Sequence, residues 1–365
     1  MPLSNSDDHW REQFALERIR LLATLGELTE RGIVENVQHI GATSVSGLPA
    51  RPCVDLGLSV WPFPLAPDRV AALNALGYEL IPGHEDVPEQ RFRHSTDAFQ
   101  LFFVEAGSEL STDYLVIREY LRHNDHARQA YSARKREWAT STISPSTDRQ
   151  AVKAQFFDQM LDEARRWWVD HQGFSPVDAV ANELREFQQP WYVSSGWALD
   201  LFLGHVTRVH HDVDVVVART DQLALQQYLI ARGWKLLAPS EGRLEPWPLH
   251  EYLEQPCHQV HAHRDGAFTD FLLSDVRHGV WQYRRNPAVI RTVDRMCLHT
   301  DRGIPFLAPE LILLFKSKNT GKNERNKDQV DFERTCIRLE PERRAWLRWA
   351  LLATDPAHPW IERLA

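Results

Sequence analysis

Apolar residues near the N-terminus recur at helical spacing. Phe14, Ile19, Leu22 and Leu25 fall on one stripe and predict a helix beginning near residue 9. The pattern then shortens. Ile33 to Ile40 and Val54 to Val60 read as strands, separated by a stretch rich in Gly, Ser, Thr and Pro. Residues 66 to 76 read as a helix stopped by Gly77, and Phe99 to Glu105 as an aromatic-rich strand. Residues 113 to 140 and 147 to 170 carry long helical patterns dense in Arg, Glu and Ala. These break at Gly173 to Pro176, because Gly stops a helix and Pro cannot continue one. The break implies two domains, residues 1–172 and 173–365. Ser175 is expected to cap the next helix, with Pro176 at its first position.

The second half repeats the order of the first. A helix over 177 to 188 leads to a short strand, Trp191 to Val193, and then to a small-residue turn, Ser194-Ser195-Gly196. A helix follows to Leu203, then an acidic strand, His211 to Val217, then a helix over 220 to 232. Gly41 to Asp55 and Gly196 to Asp212 have similar separations, so Asp55 and Asp212 are expected on equivalent strands. The expected fold class is α/β (α+β), each domain a small mixed β-sheet flanked by helices.

Composition narrows the function. The chain is 43% hydrophobic and 25% charged, ordinary for a soluble protein. No apolar run approaches a membrane span, and the polar N-terminus lacks a signal-peptide core, so a cytoplasmic protein is expected. Cys53, Cys257, Cys297 and Cys336 are scattered and make no zinc framework. A net charge of -8 argues against a nucleic-acid partner without excluding one nucleotide held through a metal.

The acidic strand holds the clearest chemistry. Side chains alternate along a strand, so Asp212 and Asp214 share one face while Val213, Val215 and Val217 take the other. Two carboxylates this close repel unless a cation or proton lies between them. Mg²⁺ favours carboxylate oxygens together with substrate phosphates. The Ser195-Gly196 turn, just before a helix, offers backbone N–H groups to a phosphate. An isolated Asp-x-Asp is usually a solvated face; the turn and the apolar reverse face point to a triphosphate site instead. His261 and His263, alternating on one strand, would share a face that could bind zinc, but a third ligand is not evident nearby.

Gly196-Trp197-Ala198-Leu199-Asp200, followed by Arg208, His210, Asp212 and Asp214, resembles the nucleotidyltransferase superfamily. The likeness is to its aminoglycoside and lincosamide adenylyltransferase branch, with Ser195 where a Gly is usual. It runs through Trp281 to Arg285 and Gly303 to Glu310, ending near Lys316, Lys327, Asp328 and Asp331. The resemblance implies a third carboxylate on a neighbouring strand, Asp270. It makes Asp212, Asp214 and Asp270 the catalytic residues and the ligands of Mg²⁺ or Mn²⁺. It sets Ser195, Gly196, Arg208 and Lys316 against the nucleotide.

In the first half, His39-Ile40-Gly41-Ala42-Thr43-Ser44-Val45-Ser46-Gly47-Leu48-Pro49 resembles the signature of the GrpB (UPF0157-like) family. That family is thought to share the nucleotidyltransferase fold. The resemblance implies a pocket at His39, Gly41, Thr43, Ser44 and Asp55. Gly57 stands where a second carboxylate would follow Asp55, and Gln100 and Phe102 where the family often has histidines. The first domain is therefore expected to be degenerate, with catalysis confined to the second. The expected activity is transfer of a nucleoside monophosphate from a triphosphate to a hydroxyl of a small acceptor, of the aminoglycoside-like antibiotic kind. The competing reading is a nucleotide-binding sensor or scaffold without transferase activity.

Overall fold

The computed structural model describes residues 7–26, 33–61, 63–82, 88–105, 108–140, 147–240, 243–264, 267–319 and 326–365. Contacts divide the chain into two compact units, Met1–His171 with Gly242–Glu245, and Gln172–Glu241 with Pro246–Ala365. Among the described residues no helix is long and apolar enough to cross a membrane.

The first unit contains α1 (Asp7–Gly26), β1 (Ile33–Ile40), β2 (Val54–Trp61), α2 (Pro67–Ala75), β3 (Tyr78–Ile81), β4 (Glu89–His94), β5 (Phe99–Glu105), α3 (Glu109–His123), α4 (Asp125–Thr140) and α5 (Thr147–Gln172). Its sheet runs β1-β2-β5-β4-β3, with β2 and β5 parallel and the other pairs antiparallel. Val54, Leu56, Leu58 and Val60 alternate along β2 and pack with Leu21 and Leu25 of α1 and with Leu101 and Phe103 of β5. The helical pattern over 113 to 140 is two helices, not one. The backbone extends at Asn124 (φ -123°, ψ 99°), and its Oδ1 accepts from the Ala127 N–H at 3.0 Å, capping α4.

The second unit contains α6 (Ser175–Glu183), β6 (Trp191–Val193), α7 (Ser195–Leu203), β7 (Asp214–Ala218), α8 (Gln222–Ile230), β8 (Lys235–Ser240), β9 (Gln259–Arg264), β10 (Ala267–Ser274), β11 (Cys297–His299), β12 (Pro305–Leu307), α9 (Pro309–Lys316), α10 (Asn326–Cys336) and α11 (Pro341–Thr354). Ser175 is not the cap of α6. Phe174 takes that position, and the Ser175 hydroxyl donates back to the Gln172 carbonyl at 2.8 Å. The sheet has eight strands, seven of which run β11-β12-β6-β7-β10-β9-β8, with the strand Arg243–Pro246 beyond β8 at the edge. Within it, β6-β7-β10-β9-β8 repeats the order and strand directions of the first unit's β1-β2-β5-β4-β3. Each unit is a mixed sheet flanked by helices, the arrangement that the patterning implied.

Candidate functional site

Asp214 opens β7 and Asp270 sits on the neighbouring parallel strand β10, where the two are direct register partners. Asp212 lies two residues before Asp214. The strand begins at Asp214 rather than His211 because other groups hold the approach. Trp197 Nε1 donates to the Asp212 carbonyl at 2.9 Å, and Arg208 and His210 bond to side chains elsewhere in the unit. One oxygen from each of Asp212, Asp214 and Asp270 lies within 4.8 Å of the others. Val213, Val215 and Val217 are buried on the reverse side.

The charges of the trio are poorly solvated and mutually repulsive. Burial, and then the charge of Asp270, push the Asp212 carboxyl up to about 6. Burial and both neighbouring aspartates push Asp214 well above the usual carboxylate range, opposed by a hydrogen bond from Ser195 and the charge of Lys316. Gln259 Nε2 donates to Asp270 Oδ2 at 2.6 Å. His261 Nδ1 lies 2.9 Å from Asp270 Oδ1 but off the direction of a hydrogen bond, so among the described residues this buried oxygen accepts from no donor. Such a donor set suits a hard divalent cation. Two oxygens on one Mg²⁺ stand no more than about 4.2 Å apart, so the trio needs only a small inward shift.

The turn before α7 is set by close packing. Ser195 has φ of 54°, a left-handed conformation unusual for a residue with a Cβ, and directs its side chain to Asp214. A Cβ on Gly196 would stand 2.5 Å from both Arg208 Nη2 and His210 Cε1, so only glycine fits there. His210 stacks on Trp197 with ring centroids 4.3 Å apart, and its Nε2 meets Asp200 Oδ2 at 2.6 Å. Thr207 closes on the same carboxylate through its hydroxyl at 2.7 Å and its N–H at 3.1 Å.

The two cations expected at the nucleotide are already engaged. Lys316 is buried and its Nζ lies 2.5 Å from Asp328 and 2.9 Å from Asp331. Arg208 contacts Asp331 at 3.4 Å. The cluster still bears on the trio, since the charge of Lys316 reaches Asp214 and that of Arg208 reaches Asp212. Sequence reasoning assigned no role to Asp200, Gln259 or the Asp328–Asp331 pair. Only Gln259 had a usable signal, its two-residue spacing from His261 on one strand face. The rings of His261 and His263 lie nearly parallel, 6.5 Å apart. Among the described residues the only cluster of three candidate ligands is the aspartate trio, so the zinc reading finds no support.

In the first unit the register corrects the expected correspondence. His39 pairs with Leu56 as Val193 pairs with Val215, so Ile40 stands opposite Asp55 as Ser194, whose N–H reaches the Asp214 carbonyl at 2.8 Å, stands opposite Asp214. Asp55 thus takes the place of Asp214, not of Asp212. Gln100, the parallel partner of Asp55, takes the place of Asp270, and Cys53 that of Asp212. The missing carboxylates are at Cys53 and Gln100; Gly57 falls beyond the site. Gly41 corresponds to Ser195, and both have positive φ. A Cβ at Gly41 would meet Asp55 Oδ2 at 2.1 Å, so glycine is required against this carboxylate.

The pocket expected at His39, Gly41, Thr43, Ser44 and Asp55 is only partly assembled. Gly41 and Asp55 meet. His39 pairs with Leu56 and so lies on the opposite sheet face from Asp55. It is buried against Phe14, and its Nε2 lies 3.0 Å from Thr43 Oγ1. Burial and the charges of Arg122, Arg118 and Arg11 lower its pKa to about 4. The Ser44 hydroxyl donates to the Gly41 carbonyl at 2.6 Å and closes the turn.

The second unit carries the aspartate trio on this strand order, and residues 176–335 match the family model of aminoglycoside-2''-adenylyltransferase. Residues 1–163 match the model of GrpB protein. A UPF0157 protein of Streptomyces coelicolor is 35% identical over 137 residues, covering 37% of this chain and 68% of the relative. The chain belongs to the UPF0157, or GrpB, family through its first half. Among solved structures, GrpB from Enterococcus faecalis aligns at 24% identity over 44% of this chain and 96% of its own, with a TM-score of 0.36. The antibiotic-resistance factor ANT(2'')-Ia aligns at 16% identity over 50% of this chain and 92% of its own, with a TM-score of 0.37.

Proposed function

We propose that the second domain transfers a nucleoside monophosphate from a nucleoside triphosphate to a hydroxyl of a small, aminoglycoside-like acceptor. The observation that carries this reading is the convergence of Asp212, Asp214 and Asp270 within 4.8 Å. Asp212 and Asp214 would hold Mg²⁺ or Mn²⁺, which when bound neutralises charge on the transferring phosphate. The acceptor oxygen attacks the α-phosphorus, and the bond to the pyrophosphate leaving group breaks. Asp270 takes the acceptor proton on Oδ1, the oxygen that no protein donor occupies. Gln259 fixes the carboxylate through its other oxygen. Ser195 and the first backbone N–H groups of α7 face the triphosphate. A sensor would not need three carboxylates held against their own repulsion, which favours the enzyme over the binding module.

The test incubates the full chain with Mg²⁺, each of the four ribonucleoside triphosphates, and panels of aminoglycosides and lincosamides. A nucleotidylated acceptor detected by mass, with equimolar pyrophosphate, is the expected result. Product that persists in Asp212→Asn at the wild-type rate would sink the assignment. So would nucleotide binding without product across both acceptor panels.

A further inference from the structure

The sheet face that carries the aspartates of the second unit continues past them. Asp214, Val216 and Ala218 alternate along β7 and share that face, with Val216 about 7 Å, two residues of strand, beyond Asp214. Tyr192 of β6 is the cross-strand partner of Val216 and stands beside it. A cleft of about 250 Å³ opens over this stretch, with Tyr192, Val216 and Ala218 on one side. Val276, which follows β10, and Val293 and Met296 complete the apolar wall. Val293 and Met296 lie three residues apart on the short helix Val293–Met296 and so turn the same way. The polar side chains on the wall are Tyr192, Thr220 and Asp221, and the Thr220 hydroxyl donates to Asp221 at 3.3 Å.

Size, charge and direction decide what this cleft takes. Pockets that enclose a whole drug-sized molecule span roughly 300–1,000 Å³, so a cleft of this size seats one group of a larger ligand. Its wall carries no cation, and its one carboxylate, Asp221, repels phosphate. A nucleobase would bring its hydrogen-bonding edge against aliphatic side chains that cannot pair with it. In the reaction proposed above, the pyrophosphate end of the nucleotide faces Ser195 and the start of α7. The Ser194 N–H binds the Asp214 carbonyl, which fixes that turn at the first residue of β7. Attacking and leaving oxygens are roughly in line, so the acceptor approaches from the side away from the turn. The cleft lies on that side, further along β7. We infer that it seats an apolar substituent of the acceptor, so that the second unit selects acceptors bearing an aliphatic or aryl group over wholly polar ones. The inference rests on the transfer proposed above and narrows its acceptor class.

The test titrates the full chain, in EDTA and without nucleotide, with methyl, butyl, hexyl and octyl glucosides below their micelle concentrations. Affinity is expected to rise by about fourfold per methylene buried until the cleft is filled. Ala218→Leu and Val293→Phe fill the cleft from different elements, and each should return the octyl glucoside toward the affinity of the methyl one. If either variant fails to fold, the other carries the comparison. Affinity independent of tail length overturns the inference, and so does a gain with tail length that the folded variants keep. A second arm measures transfer to the aminoglycoside and lincosamide panels. The filled variants should raise the acceptor KM by about tenfold or more, the worth of one buried apolar group, without moving the KM of the triphosphate. Transfer with an unchanged acceptor KM overturns the inference and leaves the transfer reading standing. Tail-dependent binding that the variants abolish, with no transfer to any acceptor, overturns the acceptor role together with the transfer reading.

Discussion

Asp200 and His210, ten residues apart, meet at 2.6 Å with both side chains buried. The same carboxylate accepts from the Thr207 hydroxyl and N–H. Asp200 therefore anchors the segment that delivers Asp212 to the site without touching the trio. Asp200→Ala leaves buried donors unsatisfied and should cost about 3 kcal/mol or more of stability. Urea unfolding monitored by tryptophan fluorescence measures this. A loss under about 1 kcal/mol would mean the anchor is dispensable.

Gly196 and Ser195 make opposite predictions although they are neighbours. A Cβ at Gly196 would push into Arg208 and His210, and His210 is held by Trp197 and Asp200. Gly196→Ala should destabilise by about 1–3 kcal/mol and lower transfer. Ser195→Gly relieves the strain of φ 54° and should raise stability by about 1 kcal/mol, while transfer falls through loss of the hydrogen bond to Asp214. Melting temperature and initial rate, measured on both variants, should move together in the first and apart in the second.

Corresponding positions in the two sheets should respond unequally. Asp212→Asn and Asp270→Ala are each expected to lower transfer by on the order of 10² or more, as for other groups acting on developing charge. Gln100→Ala, at the place of Asp270 in the first sheet, should leave the rate unchanged. In EDTA, Asp212→Asn should melt higher than the unaltered chain, because it removes one of three repelling charges. A lower melting temperature would mean that the trio is not strained without its cation.

His39 predicts an acid-labile first unit. Its folded pKa of about 4 lies below the ordinary 6.5. Between these values the unfolded chain takes up a proton that the folded chain refuses. Stability is therefore full above about pH 6.5 and falls as the pH drops toward 4, by on the order of 2–3 kcal/mol at most. The check compares unfolding of His39→Asn with the unaltered chain from pH 7 to pH 4. The stability gap between them should shrink on acidification. A gap independent of pH would rule out His39 as the source.

Much of this arrangement could be read from residue order. Strands such as Phe99–Glu105 and the Asp212/Asp214 pair announce themselves because alternation and charge are local properties. The partner of a strand is not local. Counting from the nearest glycine matches Asp55 to Asp212, yet the loops between turn and strand differ in length, and cross-strand register alone reveals Asp214 as its counterpart. The resemblance sets Lys316 against the nucleotide, and nothing in residue order shows that Asp328 and Asp331 reach it from another helix. His39 and Asp55 share a motif neighbourhood but take opposite faces, a separation set by pairing with β2. The break at Asn124 was masked because the apolar pattern on either side stays in phase.

The shared strand order gives this polypeptide an unusual kind of internal spare part. Cys53→Asp and Gln100→Asp would put three carboxylates on the first sheet at the register positions that Asp212, Asp214 and Asp270 occupy on the second. The backbone geometry that such a graft normally has to find by design is already present, down to a left-handed residue before the acidic strand. Two substitutions thus separate a chain with one aspartate trio from a chain with two, and the charges of Lys135, Arg51 and Arg91 that bear on Asp55 are what a graft would have to overcome.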